Sequence, residues 1–204
     1  MAEEILGSSA KILAAARKLF AQKGFENTSV DELAEEAQVA KGTIYVHFSG
    51  KDEILFAVIK QSLDEMRKTI TELINNKQPF LERFHRYIRE VLRLFENNKD
   101  IFRIITTEKV KLMQEGCLAD KKTLLIEEHR KANLILAEFL EQGMKEKVVK
   151  QVDAGEAALV LQAIIQSFVF QWFISGFSMA ILDKADVIAD YFLNGILEQK
   201  KEGG

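Results

Sequence analysis

The sequence predicts an all-α protein, with a three-helix head at residues 1–51 and a helical body at residues 52–204. Apolar residues recur at helical spacing through the long segments, and no long stretch alternates β-branched or aromatic residues with polar ones. The 204 residues include a single proline. Apolar residues make up 48% of the chain and charged residues 29%, which is ordinary for a globular protein with a sizeable core.

The head carries signals for short helices. A first helix is predicted to end near Lys23, because Gly24 suits the left-handed position that closes a helix. Ser29 opens a second helix, and Glu32 three residues later completes a capping box. The apolar pattern breaks at residues 38–40 and then resumes. Two short helices joined by a tight turn are typical of a helix-turn-helix.

The third helix of the head, from Lys41 to about Phe48, is predicted to be a recognition helix. Such a helix lies in the major groove of DNA, with its N-terminal residues near the base edges. Ile44 and Phe48 are expected to face inward with Val39, which leaves Lys41, Thr43, Tyr45, Val46 and His47 on the other face. Gly42 lets the start of the helix approach DNA closely. Free backbone N–H groups at the start of the second helix, and at the start of the helix that follows the recognition helix, favour the binding of phosphates. The predicted DNA contacts are Thr28, Ser29, Lys41, Gly42, Thr43, Tyr45, His47 and Lys51.

Net charge alone does not suggest a nucleic-acid partner. The chain carries a net charge of −3, and acidic residues outnumber basic ones in the first sixty positions. From Ala37 to Lys51, however, there is no acidic residue. Because salt screens charges beyond about 10 Å, this local cationic segment can still meet phosphate.

Residues 12–55, ILAAARKLFAQKGFENTSVDELAEEAQVAKGTIYVHFSGKDEIL, resemble the TetR family of bacterial transcriptional repressors. The resemblance implies that Lys41, Gly42 and Thr43 contact bases or nearby phosphates. It also implies that Tyr45, His47 and Lys51 hold the DNA backbone. The family usually has glycine where Gln38 stands, and a left-handed non-glycine residue costs roughly 1–2 kcal/mol. A slightly strained or differently closed turn is therefore expected.

The body is predicted to begin with a long amphipathic helix from about Asp52 to Asn75, followed by a restart after Pro79. Further helices are expected near residues 100–114 and 120–145. Four arginines recur on one face of the helix after Pro79, with glutamates interleaved, which favours a solvated, ion-paired face over a second anion site. They are Arg83, Arg86, Arg89 and Arg93.

The segment from Ala157 to Leu182 contains no charged residue, and Asp153 is placed to cap its start. Its length would permit a membrane span, but glutamine and serine residues punctuate it and no cationic cluster flanks it. We expect instead a buried helix that contacts both its own domain and a partner chain. A last helix is expected from about Lys184. Its inward-facing residues are expected to be Val187, Ile188, Tyr191, Phe192, Gly195 and Ile196.

The family resemblance implies that these last two helices pair with their copies in a second subunit as a four-helix bundle. A two-fold dimer matches the needs of a helix-turn-helix, since it places two recognition helices about 34–36 Å apart along a palindromic operator. Residues 52–204 are thus expected to form an effector-binding and dimerisation domain. The predicted effector-lining residues are Phe84, His85, Phe102, Phe168 and Trp172. Each aromatic residue taken singly is better explained by core packing, but together they favour an apolar or amphipathic small molecule. His85 is expected to be either its polar contact or a partly buried structural histidine.

No pattern indicates catalysis, a metal site or a cofactor. The histidines stand far apart at positions 47, 85 and 129, and the single cysteine, Cys117, follows Gly116 in a predicted loop with no signature around it. One cysteine and an acidic N-terminus favour a reducing cytoplasm over export.

The sequence therefore predicts a homodimeric DNA-binding repressor released from its operator by a small molecule. A regulator without such an effector, constitutive or protein-controlled, is the alternative.

Overall fold

A computed structural model describes residues 2–103, 106 and 119–194, with side chains throughout these ranges except at residues 2–6 and 119–125. Within them the chain is helical and has no strand, which confirms the all-α class. The elements are α1 (Ala2–Lys23), α2 (Val30–Ala37), α3 (Lys41–His47), α4 (Lys51–Ile74), α5 (Phe80–Asn97), α6 (Ala119–Lys145), α7 (Ala154–Ile174), a 3₁₀ turn (Ile181–Lys184) and α8 (Ala185–Asn194).

The described chain forms two compact units. The first holds the residues up to Met66 together with residues 98–103, and the second holds Arg67–Asn97 and the residues from Ile126 onward. The first unit extends beyond the predicted boundary at residue 51, because the first half of α4 packs into the same core as α1–α3. A single continuous helix, α4, therefore begins in one unit and ends in the other.

The core of the first unit is contributed by every helix of the head. Ile12, Phe20, Leu33 and Ile44 are each at most 1% exposed. Helix α1 ends at Lys23 with Gly24 in the left-handed region at φ +84°, as predicted. The head thus follows its local sequence signals closely.

The core of the second unit is aromatic. The Phe80 and Phe139 ring centroids lie 4.9 Å apart, and Phe84 stacks between Phe139 and Phe192. Such ring pairs stabilise a core by about 0.5–1.5 kcal/mol each beyond the area they bury. This cluster joins α5, α6 and α8.

Arg83 departs from the predicted arginine face. Arg86, Arg89 and Arg93 are exposed, but Arg83 is 4% exposed and lies over the Phe80 and Phe139 rings. Its guanidinium donates to the carbonyl oxygens of Ile74 (2.7 Å) and Gln78 (2.8 Å), and it bonds the Gln142 amide oxygen and the Glu146 carboxylate as well. Spacing along α5 could not show this, since its partners come from the end of α4, the following loop and α6.

The uncharged segment is not one buried helix. Helix α7 does begin with the Asp153 cap, whose carboxylate accepts from the Glu156 N–H at 2.8 Å, but it ends at Ile174. Gly176 and Phe177 then turn the chain with positive φ. Of the described helices, α7 alone has the length and composition of a membrane span, with a third of its most apolar window buried. Its exposed large apolar residues are Leu159, Val160, Phe170 and Ile174.

The last helix also differs from expectation. Ile188 is buried and Phe192 packs on Phe84, as predicted, but Val187 and Tyr191 are exposed in the single chain. Gly195 and Ile196 lie outside the described residues, as do Cys117 and most of the helix predicted near residues 100–114.

Gly143 offers a test of the aromatic core. A Cβ atom added there would lie 2.7–2.8 Å from the Phe80 ring, so Gly143→Ala forces that ring to move. We expect the free energy of unfolding to fall by about 1–3 kcal/mol, as for other overpacked cores. The change is measured by denaturant titration. Gly7→Ala is the matched control, because a Cβ at this helical glycine meets nothing within 4 Å. It should instead stabilise by up to about 1 kcal/mol, and equal effects of the two substitutions would contradict the packing.

Candidate nucleic-acid interface

The orientation of α3 is set by its inward-facing residues. Ile44 is fully buried and Phe48, just after the helix, is 7% exposed, while Val39 in the turn packs against the same core. Because a helix turns by about 100° per residue, this arrangement sends the other side chains of α3 outward. The predicted inward set is confirmed.

The outward face of α3 is open along its length. Lys41, Gly42 and Tyr45 are exposed, and Thr43 and His47 are half-buried. Val46 is 74% exposed, more than the 52% of Tyr45, yet it is absent from the predicted contacts. Its place opposite Ile44 on the helical wheel could have marked Val46 as an outward-facing residue from the sequence alone.

Acidic side chains of α2 are paired with lysines of the neighbouring helices. Lys41 forms an ion pair with Asp31 at 2.7 Å, Lys18 pairs with Glu36 at 2.6 Å, and Lys23 pairs with Glu32. The hydrogen bond that the Lys41 ammonium donates to the Asp31 carboxylate raises the pKa of Lys41. The hydrogen bonds from Lys23 and from Ser29 lower the pKa of Glu32 to about 2. No sequence spacing marked Asp31 as the partner of Lys41.

The turn of the helix-turn-helix closes with a left-handed residue. Gln38 has φ 55° and ψ 46°, and its N–H bonds the carbonyl oxygens of Ala34 and Glu35. The expected left-handed conformation at this non-glycine residue is therefore present. It stores roughly 1–2 kcal/mol of backbone strain in the turn.

The two residues predicted to contact phosphate at the start of α2 are already engaged within the head. Thr28 is 1% exposed, and its hydroxyl donates to the Gly24 carbonyl oxygen at 2.8 Å, so its side chain is not available for a DNA contact. The Ser29 N–H donates to the Glu32 carboxylate at 2.8 Å, and the Glu32 N–H donates to the Ser29 hydroxyl. The capping box is confirmed, and Ser29 itself remains exposed.

Lys51 ties α4 to the loop between α1 and α2. Its ammonium group donates to the carbonyl oxygens of Phe25 (2.9 Å) and Glu26 (3.3 Å) and lies 4.4 Å from the centre of the Phe25 ring. The side chain predicted to hold a phosphate therefore also holds this loop.

Helices α1, α2 and the first half of α4 thus share a buried core with α3, and they hold α3 with one face exposed. Residues 12–58 match the family described as bacterial regulatory proteins, tetR family. Residues 77–196, more than half of the chain, match the tetracyclin repressor-like C-terminal domain. The chain belongs to the TetR family.

Several transcriptional regulators are similar to this chain over part or most of its length. The HTH-type transcriptional regulator YhgD of Bacillus subtilis is 28% identical over 171 residues, covering 79% of this chain and 82% of that protein. The fatty acid metabolism regulator protein of B. subtilis is 24% identical over 188 residues, covering 91% and 94%. The match to YuxN of B. subtilis is 36% identical but spans 42% of this chain and 28% of that protein. These relatives are transcriptional regulators and not enzymes, as the sequence predicted for this chain.

Solved structures share the fold of this TetR-family chain. FadR from B. subtilis, in complex with stearoyl-CoA, has a TM-score of 0.76 at 22% identity and covers 92% of this chain and 99% of its own. A regulator from Saccharomonospora viridis, in complex with choline, has a TM-score of 0.77 at 20% identity and covers 94% and 98%. At these identities the likeness shows a common fold.

The predicted effector-lining residues of this TetR-family chain belong to both compact units. Phe84 and Trp172 are buried in the core of the second unit, and Phe168 is half-buried on α7. Phe102 belongs to the first unit. The His85 side chain is 50% exposed, and its Nδ1 atom lies 3.9 Å from the Asp186 carboxylate. An open cavity of about 310 Å³ lies elsewhere, in the head, lined by Lys11, Ala14, Ala15, Lys18, Glu36, Ala37 and Gln38.

Proposed function

We propose that this TetR-family chain is a homodimeric, sequence-specific repressor that is released from a palindromic operator by an apolar or amphipathic small molecule. The observation that carries the proposal is the outward face of α3, held by buried Ile44 and free of acidic residues. A face of this kind fits the major groove of DNA. The protein acts in the cytoplasm, where bacterial DNA lies.

Lys41, Gly42 and Thr43 make the contacts to bases or nearby phosphates. The exposed ion pair between Lys41 and Asp31 contributes little to stability, so Lys41 can exchange Asp31 for a guanine edge or a phosphate at small cost. Thr43 adds a hydroxyl beside it, and Gly42 keeps the backbone close to the groove.

Tyr45, His47, Ser29 and Lys51 hold the DNA backbone. The Lys51 ammonium has three N–H donors, and the Phe25 and Glu26 carbonyls engage two of them. The third can reach a phosphate while the loop stays tied. Thr28 is left out of this set because its hydroxyl is buried.

The dimer forms through the exposed apolar faces of α7 and α8. These faces carry Leu159, Val160, Phe170, Ile174, Val187 and Tyr191. Large contiguous apolar surfaces are rarely left open to water in a monomer. A second copy covers this surface and explains why Val187 and Tyr191, expected inward, are exposed in one chain.

A fatty acyl thioester is the effector class that we propose for this chain. One of its relatives is named as a fatty acid metabolism regulator, and one solved neighbour is in complex with stearoyl-CoA. Helix α4 provides the route, because it begins in the DNA-binding unit and ends in the body. A ligand that favours one position of the later turns of α4 would thereby change how the recognition helices are presented. A constitutive or protein-controlled regulator remains the second candidate.

The first test concerns DNA. Fragments selected from random DNA by the wild-type protein should share a palindromic sequence. Gly42→Ala should then weaken binding to that operator by about tenfold or more, because a methyl group enters the closest approach to the groove. In the free protein the added Cβ meets nothing within 4 Å, so unfolding stability should stay unchanged or rise by up to about 1 kcal/mol. Equal operator affinity of the two proteins would contradict this placement of α3.

The second test concerns assembly. Sedimentation of the wild type at micromolar concentration should give twice the mass of the chain. Phe170→Glu places a charge in the proposed interface and should weaken the dimer by more than about a hundredfold. Leu81→Glu is the control, since Leu81 is also exposed but lies on α5, and this variant should remain dimeric. A well-folded wild-type monomer would refute the interface.

The third test concerns release. Stearoyl-CoA, below its critical micelle concentration, should weaken operator binding by 5- to 150-fold, and by linkage the operator should weaken stearoyl-CoA binding by the same factor. The fluorescence of Trp172, the single tryptophan and a buried one, reports ligand binding with and without operator. Free coenzyme A and free stearate show which part of the molecule is recognised. Ligand affinity that does not change with operator would rule out stearoyl-CoA as an inducer.

A further inference from the structure

The outermost line of α3 is apolar. Val46 lies two residues after Ile44, or about 200° around the helix, so it points almost directly away from the head core. Gly42, four residues earlier, lies on the same line, since residues four apart share a helix face. Val46 is 74% exposed, and it contributes nothing to the buried core of the head.

Polar side chains stand only to the sides of this line in the described helix. Thr43 and Tyr45 lie on opposite flanks, at about 100° either side of Ile44. Hydrogen bonds to base edges must therefore come from the flanks or from Lys41, and not from the centre of the face. The centre can make only apolar contacts, and the C5-methyl group of thymine is the apolar feature of the major groove.

We propose that Val46 reads the C5-methyl group of one thymine in each half of the operator. This inference rests on the proposed function, because it requires α3 to enter the major groove. Gly42 supports it: without a side chain on the same line, the helix can approach closely enough for the branched Val46 side chain to touch a base edge. Valine also loses little side-chain freedom on contact, because its χ1 is already restricted.

The experiment removes the methyl group from DNA and the side chain from the protein. In the operator selected by the wild type, each thymine in turn is replaced by deoxyuridine, which differs only in lacking the C5-methyl group. We expect one thymine position per half-site to weaken wild-type binding by about fourfold, and by about fifteenfold when both halves are replaced, as for loss of one buried methyl group per site. Affinities are measured by fluorescence anisotropy at one fixed salt concentration.

Val46→Ala should bind the thymine operator more weakly and should lose the penalty for deoxyuridine at that position. Because Val46 is exposed, the variant should keep its melting temperature. Val152→Ala, at another exposed valine in the body, is the matched control and should keep both the affinity and the penalty. A penalty of equal size in wild type and Val46→Ala, or no thymine position with a penalty, would overturn the role of Val46 and leave DNA binding standing. Failure to select any operator would refute both proposals.

Discussion

The burial of Ile44 among the side chains of α1 and α2 is the contact on which the DNA-facing surface depends. Helix α3 has seven residues, whereas isolated helices shorter than about 12–15 residues are marginal in water. Its sequence also contains a glycine and three β-branched residues, which are poor helix formers. The helix therefore exists because one face is packed, and that packing also decides which side chains face outward.

Polar contacts on both sides of α2 hold this support in place. On one side the capping box, the buried Thr28 hydroxyl and the Lys51 ammonium fix the loop after α1. On the other side, Gln38 closes the turn in a strained left-handed backbone conformation. The strain is tolerated because the core around it determines where α3 must begin. Lys51 also connects α4 to this loop, so a movement of the first turn of α4 would disturb the loop that leads into α2.

Local signals in the sequence predicted the head well. A glycine after Lys23, a serine followed by a glutamate, and the inward spacing of Ile44 and Phe48 each specify a feature within a few residues, and each is confirmed. Errors arose where a distant residue decides the environment. Arg83 looked like a surface group, but it is buried, and its partners come from the end of α4, the following loop and the residues Gln142 and Glu146. The effector residues stay a prediction, because a pocket depends on how helices pack and not on which of them carry aromatic rings.

The pairing of the α2 carboxylates with Lys18, Lys23 and Lys41 bears on how such a protein finds its site in a genome. Sequence-independent attraction to DNA comes from lysines and arginines that displace counterions from phosphates. In this head those lysines have carboxylate partners, so the positive charge that they bring to DNA is offset locally. A lysine can exchange its carboxylate for a phosphate at small cost, but the carboxylate then stays beside the DNA, and the sequence-independent attraction is smaller than three unpaired lysines would give. Specific contacts must then supply a larger share of the operator affinity.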